Sequence, residues 1–234
     1  MTMKQKDKKH FESAQGQDLF ALGLLPHGET FLDIGSGGPL ICNNTYILEK
    51  NQWKGICVDN ISDEGLGVEH PNMERSYKEV RESQFFNLDA CSDEFIDLIT
   101  EHYPSKIIDY ISLDIDDSGI ECLTNLIANG FNFKCMTFEH DLYNRKAMNY
   151  INKYASKDLL LERGYYPLFE NVCLYGNGVN PWEDWWINLN YLSSFKFLNN
   201  RNCSWKHCLR SLIDFWTKNN EKNEKFIEIV SKIK

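Results

Sequence analysis

An α/β architecture, with a mostly parallel sheet flanked by helices, is what this sequence predicts. Three observations predict it. Short apolar runs alternate with helical stretches from about residue 30 to residue 163, the pattern of crossover units feeding a mainly parallel sheet. Several of those runs end in an acidic residue. The length of 234 residues suits one α/β domain with a sizeable core and is short for two.

The elements follow in order. Thr30–Ile34 (TFLDI) reads as a buried strand, and residues 40–50 as the helix after it. Residues 55–58 (GICV) form a second strand and 83–88 (SQFFNL) a third. Residues 95–102 are helical and stop near Pro104. Ile107–Leu113 (IIDYISL) carries the clearest strand signal. Residues 120–128 are helical, with Gly130 placed to cap them. Residues 133–138 (FKCMTF) are the fifth strand, and 144–163 a long helix ending before Gly164. Residues 165–174 and 183–187 are expected to close the sheet as a hairpin, with Gly176, Asn177 and Gly178 in its turn. From about Ser204 the tail reads as one or two helices packed outside the sheet. The whole, residues 1–234, reads as a single domain with its core over about 15–190 and a C-terminal helical extension over 191–234.

Composition narrows the function classes. A formal net charge of −9 opposes long-range attraction to phosphate backbones, so nucleic-acid binding is disfavoured. Lys4, Lys6, Lys8, Lys9 and, at the other end, Lys218, Lys222, Lys225, Lys232 and Lys234 read as solvated tails. None of the eight cysteines lies in a C-x-x-C pair, which disfavours zinc, and six (Cys42, Cys57, Cys91, Cys122, Cys135 and Cys173) fall in or beside apolar stretches. That placement suits free thiols in a reducing compartment. No apolar signal core opens the chain and no run is long enough to span a bilayer. The expectation is a cytoplasmic protein without a membrane partner. No sequence signal bears on oligomeric state.

The chemistry collects where strands end. Leu32-Asp33-Ile34-Gly35-Ser36-Gly37-Gly38 leaves a strand and opens a helix, and glycine lets backbone come close to a ligand there. A dinucleotide fingerprint wants glycine three positions after Gly37, and that position is Leu40. Asp33 stands where its carboxylate can meet the ammonium of an amino-acid-like ligand. Asp59, with Asn60 after it, ends the second strand, where a carboxylate accepts ribose hydroxyls. Asp89-Ala90 follows the third and can meet an adenine amino group. A pyrophosphate would call for basic residues and helix N–H groups. Three acidic strand ends favour a phosphate-free adenosyl ligand with a sulfonium cation, S-adenosylmethionine.

Ser112-Leu113-Asp114-Ile115-Asp116-Asp117 leaves the best strand, with Asp114 and Asp116 on one side by strand alternation. These acids suit a divalent metal, a substrate hydroxyl or general-base work, or simply cap the next helix. Thr137-Phe138-Glu139-His140-Asp141 ends strand five, and Glu139 and His140 are expected beside Asp114, able to share a proton or a metal. Trp182-Glu183-Asp184-Trp185-Trp186 either walls a substrate pocket, with Glu183, Asp184 and Trp185 touching substrate, or packs as an aromatic corner.

FLDIGSGGPLICNNTYILEKNQWKGICVD resembles the cofactor half of FkbM-type methyltransferases, IDYISLDIDDSGIECL that family's strand-four motif, and MTFEHD and GYYPLFENVCLYGNGVNPWEDWW its later blocks. Ala14-Gln15-Gly16-Gln17-Asp18-Leu19-Phe20 is similar to its N-terminal segment. The match runs from about Gln15 to Trp186 and leaves the tail uncovered. The resemblance implies a Rossmann-like class I methyltransferase fold, a seven-stranded sheet with one antiparallel strand. It implies methyl transfer from S-adenosylmethionine, usually to oxygen on a small molecule such as a sugar or secondary metabolite. Carried across, Asp33, Gly35, Ser36 and Gly37 touch the cofactor, Asp59 and Asn60 its ribose, Asp89 and Ala90 its adenine, and Gln15 and Gln17 its methionine end. Asp114 lies near the methyl. The family's acidic-Pro pair is Asp59-Asn60 here, the following linker carries Asp63, Glu64, Gly65 and Gly67, and Asp117 replaces a common glycine.

Asp114, Glu139 and His140 are the expected catalytic groups, acting as bases or through a divalent cation that they would hold; Asp116 is expected to meet the acceptor. The alternatives are a nucleotide-dependent oxidoreductase, a binding module that keeps the fold without turnover, and a nucleic-acid methyltransferase whose tryptophans stack bases.

Overall fold

The computed structural model describes residues 15–40, 42–61, 76–173, 179–198, 200–219 and 223–231. Its centre is a mixed sheet of eight strands flanked by helices. The strands are β1 (Thr30–Ile34), β2 (Lys54–Asp59), β3 (Gln84–Asn87), β4 (Ile107–Leu113), β5 (Asn132–Glu139), β6 (Tyr165–Cys173), β7 (Pro181–Asn188) and the two-residue β8 (Asn200–Arg201). They lie in the order β3-β2-β1-β4-β5-β7-β6-β8. β7 runs antiparallel to both β5 and β6, and every other pairing is parallel.

The helices are α1 (Gln17–Leu24), α2 (Tyr46–Lys50), α3 (Tyr77–Val80), α4 (Asp93–His102), α5 (Gly119–Ala128), α6 (Ala147–Glu162), α7 (Leu189–Leu192), α8 (Trp205–Lys218) and α9 (Glu224–Ser231). Strand alternation sends neighbouring residues into two cores. Phe31, Cys57 and Trp185 face one, with α1, α8 and α9; Leu32, Val58 and Trp186 face the other, with α4 and α5. α1 is buried along its whole length because it lies between the sheet and the C-terminal helices. The Trp216 indole donates to the Gly23 carbonyl at 2.7 Å and the Asn223 amide to that of Leu22 at 2.7 Å. The tail therefore seals one face of the sheet.

One expected element is shorter than its pattern. The helix over 40–50 is confined to Tyr46–Lys50 among the described residues. Asn43, Asn44 and Thr45 spend their side chains on backbone and on Ser112 and Asp33, the competition that keeps such residues out of helix interiors. Gly130 and Gly164 take left-handed φ values of +85° and +81° just past α5 and α6, as glycine caps do. The hairpin of β6 and β7 forms; Leu174, Gly176, Asn177 and Gly178 lie outside the described residues, as do Asp63, Glu64, Gly65, Gly67 and the lysines at 4, 6, 8, 9, 222, 232 and 234. Of the cysteines, Cys42 is exposed rather than apolar-packed. No helix among the described residues is long and apolar enough to cross a membrane.

Candidate functional site

The sheet order reverses at β1, which has β2 on one side and β4 on the other. Ligands of open α/β sheets bind where strand order switches, beyond the carboxyl ends of the strands. A cavity of about 210 Å³ opens there, lined by Gly35, Asp59, Asn60, Asp89, Asp114 and Asp116 together with apolar neighbours. Among its lining residues there is no lysine or arginine.

Local interactions build this rim. Gly35 has φ +73°, and a β carbon there would lie 1.7 Å from the Asp114 carbonyl oxygen. Gly37, at φ +55°, faces open space. Its N–H donates to Asp59 Oδ2 at 3.0 Å, while Ile61 N–H donates to Asp59 Oδ1 at 2.9 Å. Each carboxylate oxygen keeps a spare lone pair for a ligand. Asp89 accepts from the Cys91 N–H at 2.9 Å.

Behind the glycine turn lies support that sequence reasoning missed. The Tyr77 hydroxyl sits 2.9 Å from the Ser36 hydroxyl and 3.0 Å from the Gly37 carbonyl. Asn43 donates to the Ser36 and Gly38 carbonyls. Buried Arg81 joins Glu49 (2.9 Å), Asn43 (2.8 Å) and Thr45 (3.1 Å), and the Thr45 hydroxyl donates to Asp33 Oδ2 at 2.7 Å. The run Asn43-Asn44-Thr45 inside an apparent helix was the available signal. Asp33 itself is fully buried, with the Thr45 and Ser112 hydroxyls as its hydrogen-bond partners. Burial pushes its carboxyl up to about 6, against the Thr45 hydrogen bond and the Arg81 charge.

A second acidic group adjoins the cavity at the ends of β4, β5 and β7. Asp114 and Glu139 share a hydrogen bond, and Glu139 faces Glu183 across the β5–β7 register. Burial raises Glu139 to about 10, with the Asp114 charge adding to it and the Trp182 indole N–H, which donates to its Oε1, working the other way. Burial likewise raises Asp114 to about 6 and Glu183 to about 8. Glu183 accepts from the Trp185 indole at 2.8 Å and from the Gln17 amide at 3.4 Å. Gln17 thus reaches this edge; the Gln15 backbone N–H donates to the Gln17 side chain at 2.9 Å. One carboxylate oxygen each from Asp116, Glu139 and Asp141 lie within 4.8 Å of one another.

Other expected site residues go elsewhere. His140 is 1% exposed, and its ring is turned to Leu142 and Asp184. Its Nδ1 accepts the Leu142 N–H at 3.2 Å and its Nε2 faces Asp184 at 3.4 Å. The three-residue metal set therefore contains Asp116 and Asp141 where Asp114 and His140 were expected. Asp184 is buried in an ion pair with Lys153 and accepts the Asn171 N–H at 2.7 Å, so its carboxylate is engaged inside the fold. Trp185 is buried against Phe20 and Phe169, at centroid distances of 4.7 and 5.8 Å, as the aromatic-corner alternative has it. Adjacent strand residues point to opposite faces, which separates Glu139 from His140 and Glu183 from Asp184. Comparison with models of protein families and with characterised proteins gave no match for this chain.

Proposed function

We propose that the chain is an S-adenosylmethionine-dependent methyltransferase of the FkbM-like kind, with a class I methyltransferase fold, transferring a methyl group to a hydroxyl oxygen of a small molecule such as a sugar or secondary metabolite. One observation carries the reading: the cavity at the switch point is bounded by a glycine turn and by carboxylates from three successive strand ends, with no basic residue in its lining. Such a lining rejects a pyrophosphate and accepts a cationic adenosyl donor. Seven main strands with β7 alone reversed agree with that fold.

The residues present fit the donor. Asp59 retains acceptor capacity on both oxygens, suited to ribose hydroxyls beside Asn60. Asp89 and Ala90 would meet the adenine. Asp33 and Gln17 would serve the amino-acid end, with the open side of Gly37 leaving room for backbone approach. When bound, S-adenosylmethionine supplies a methyl group on a sulfonium, electrophilic enough for in-line attack. The chain contributes position and proton handling. Asp114 lines the cavity and is hydrogen-bonded to Glu139, so one proton is held between two carboxyls beside the reaction space. That pair is placed to take a hydroxyl proton as the acceptor oxygen attacks.

Calorimetry with S-adenosylhomocysteine tests the reading, with NAD as the control. Saturable heat with the first and none with the second is expected. The opposite pattern, or S-adenosylhomocysteine heat unchanged by Asp59→Asn, would remove it. Release of methyl to a panel of hydroxyl acceptors then separates an enzyme from a binding module.

A further inference from the structure

We propose that Asp116, Glu139 and Asp141 form a divalent-cation site at the rim of the cavity, where a hard metal ion binds the acceptor hydroxyl. The cation site stands on its own geometry; its role toward the acceptor rests on the methyltransferase reading.

The three carboxylates come from two neighbouring strand ends. Asp116 follows β4, Glu139 ends β5, and Asp141 lies two residues beyond it. Three oxygens no more than 4.8 Å apart sit within about 2.8 Å of a common point. A contraction of a few tenths of an ångström reaches the about 2.3–2.6 Å shell of Ca²⁺, and a somewhat larger one the about 2.0–2.1 Å shell of Mg²⁺. Oxygen-only ligation selects Mg²⁺, Mn²⁺ or Ca²⁺ over zinc.

A second observation points to a ligand. Asp141 is 9% exposed, and its Oδ1 is buried and accepts no hydrogen bond, while its Oδ2 takes the Asn144 amide at 3.0 Å. Buried carboxylate oxygens are normally satisfied, because leaving one bare costs about 1–3 kcal/mol or more. Among the described residues no lysine or arginine forms an ion pair with any of the three. Glu139 gives Oε1 to the Trp182 indole, and its hydrogen bond with Asp114 gives way when a cation binds.

The ligands are held by the fold. The His140 and Asp141 N–H groups both donate to the Trp182 carbonyl, at 2.9 and 2.8 Å. The His140 ring is fixed between Leu142 and Asp184. Asp116 lines the cavity itself. A cation here would draw the acceptor hydroxyl to the rim and ease loss of its proton to Asp114, which lines the same cavity. The acceptor oxygen then forms the new O–C bond as the S–C bond breaks, and the sulfur keeps the electron pair and leaves as S-adenosylhomocysteine.

The test is Mn²⁺ binding to the chelator-treated full chain, followed by calorimetry and by electron paramagnetic resonance, with Mg²⁺ and Ca²⁺ as competitors. One saturable Mn²⁺ per chain is expected. Asp116→Asn and Asp141→Asn should each weaken it at least about tenfold, and Asp117→Asn, which removes the same charge next door, by less than about twofold. Asp116 is exposed, so its variant reports on the site even if the Asp141 variant melts early. Absence of saturable Mn²⁺ at millimolar concentration overturns the site, as does equal weakening by Asp117→Asn. S-adenosylhomocysteine binding without Mn²⁺ binding would sink this site alone; Mn²⁺ binding without S-adenosylhomocysteine would sink the donor reading alone.

Discussion

Gly35 and Asp114 are in contact so close that only a glycine fits. A β carbon at Gly35 would sit 1.7 Å from the Asp114 carbonyl oxygen, and the Asp114 N–H donates to the Ile34 carbonyl at 2.9 Å. The turns after β1 and β4 are therefore one unit, and both border the cavity.

Gly35→Ala should break that unit. The new methyl meets backbone, which cannot move aside as a flexible side chain can, and φ +73° is unfavourable for alanine. A loss of about 2–4 kcal/mol is expected from clash and strain together. Urea unfolding measures it, and calorimetry should show S-adenosylhomocysteine binding lost. A variant as stable as the parent would mean that the two turns are not coupled.

Tyr77→Phe deletes the hydroxyl that meets Ser36 and Gly37 and accepts from Asn43 at 3.2 Å. The ring stays, stacked on Phe85 at 4.4 Å. The expected cost is about 1 kcal/mol, with S-adenosylhomocysteine affinity falling by roughly fivefold as the glycine turn loosens. Unchanged affinity by calorimetry would show that the turn holds its shape without Tyr77.

How much of this was legible in the sequence depends on the kind of interaction. TFLDI, GICVD and IIDYISL are apolar runs bounded by turn residues, and local pattern fixes such strands. Gly130 and Gly164 were readable because a helix end needs a left-handed residue. The strand-end carboxylates Asp59, Asp89 and Asp114 followed from the same reading and do line one cavity. The helix over 40–50 failed because Asn43 and Thr45 answer to partners 34 and 12 residues away, Tyr77 and Asp33, which no window sees. His140 and Trp185 were misplaced for a simpler reason. Alternation along a strand puts neighbours on opposite faces, and the rule applied to Asp114 and Asp116 also separates Glu139 from His140. Asp141, two residues past the end of the strand, returns to the acidic side.

The buried set Lys153, Asp184 and His140 should be structural. Burial alone would raise Asp184; the Lys153 charge and the hydrogen bonds from Lys153 and the His140 ring outweigh it and hold the carboxyl well below its ordinary value. Lys153→Met leaves a buried carboxylate short of its main partner and should cost about 3–5 kcal/mol, whereas Lys153→Met with Asp184→Asn should cost less than that single change. The contribution of Asp184 is present above the unfolded carboxyl value of about 4 and is lost as pH falls below it. Urea midpoints of the single and double variants decide the matter; additive losses would rule out the coupling.

Asp33 gives the opposite pH dependence. Burial raises its carboxyl to about 6, so in the fold it keeps a proton that the unfolded chain releases near pH 4. Between those values the native state binds more protons than the unfolded state, and stability must fall as pH rises. The loss is complete above about pH 6 and is on the order of 3 kcal/mol for a fully buried group. Asp33→Asn keeps an acceptor for the Thr45 hydroxyl but cannot ionise. The variant should match the parent near pH 4.5 and exceed it in urea stability near pH 7.5. Binding should show the reverse order. An ammonium-bearing ligand gains from the ionised Asp33, so S-adenosylhomocysteine affinity in the parent should rise through about pH 6 and stay flat in Asp33→Asn. Parallel stability curves for the two proteins would show that Asp33 does not change protonation on folding, and a parallel rise in affinity would move the ammonium contact to another carboxylate.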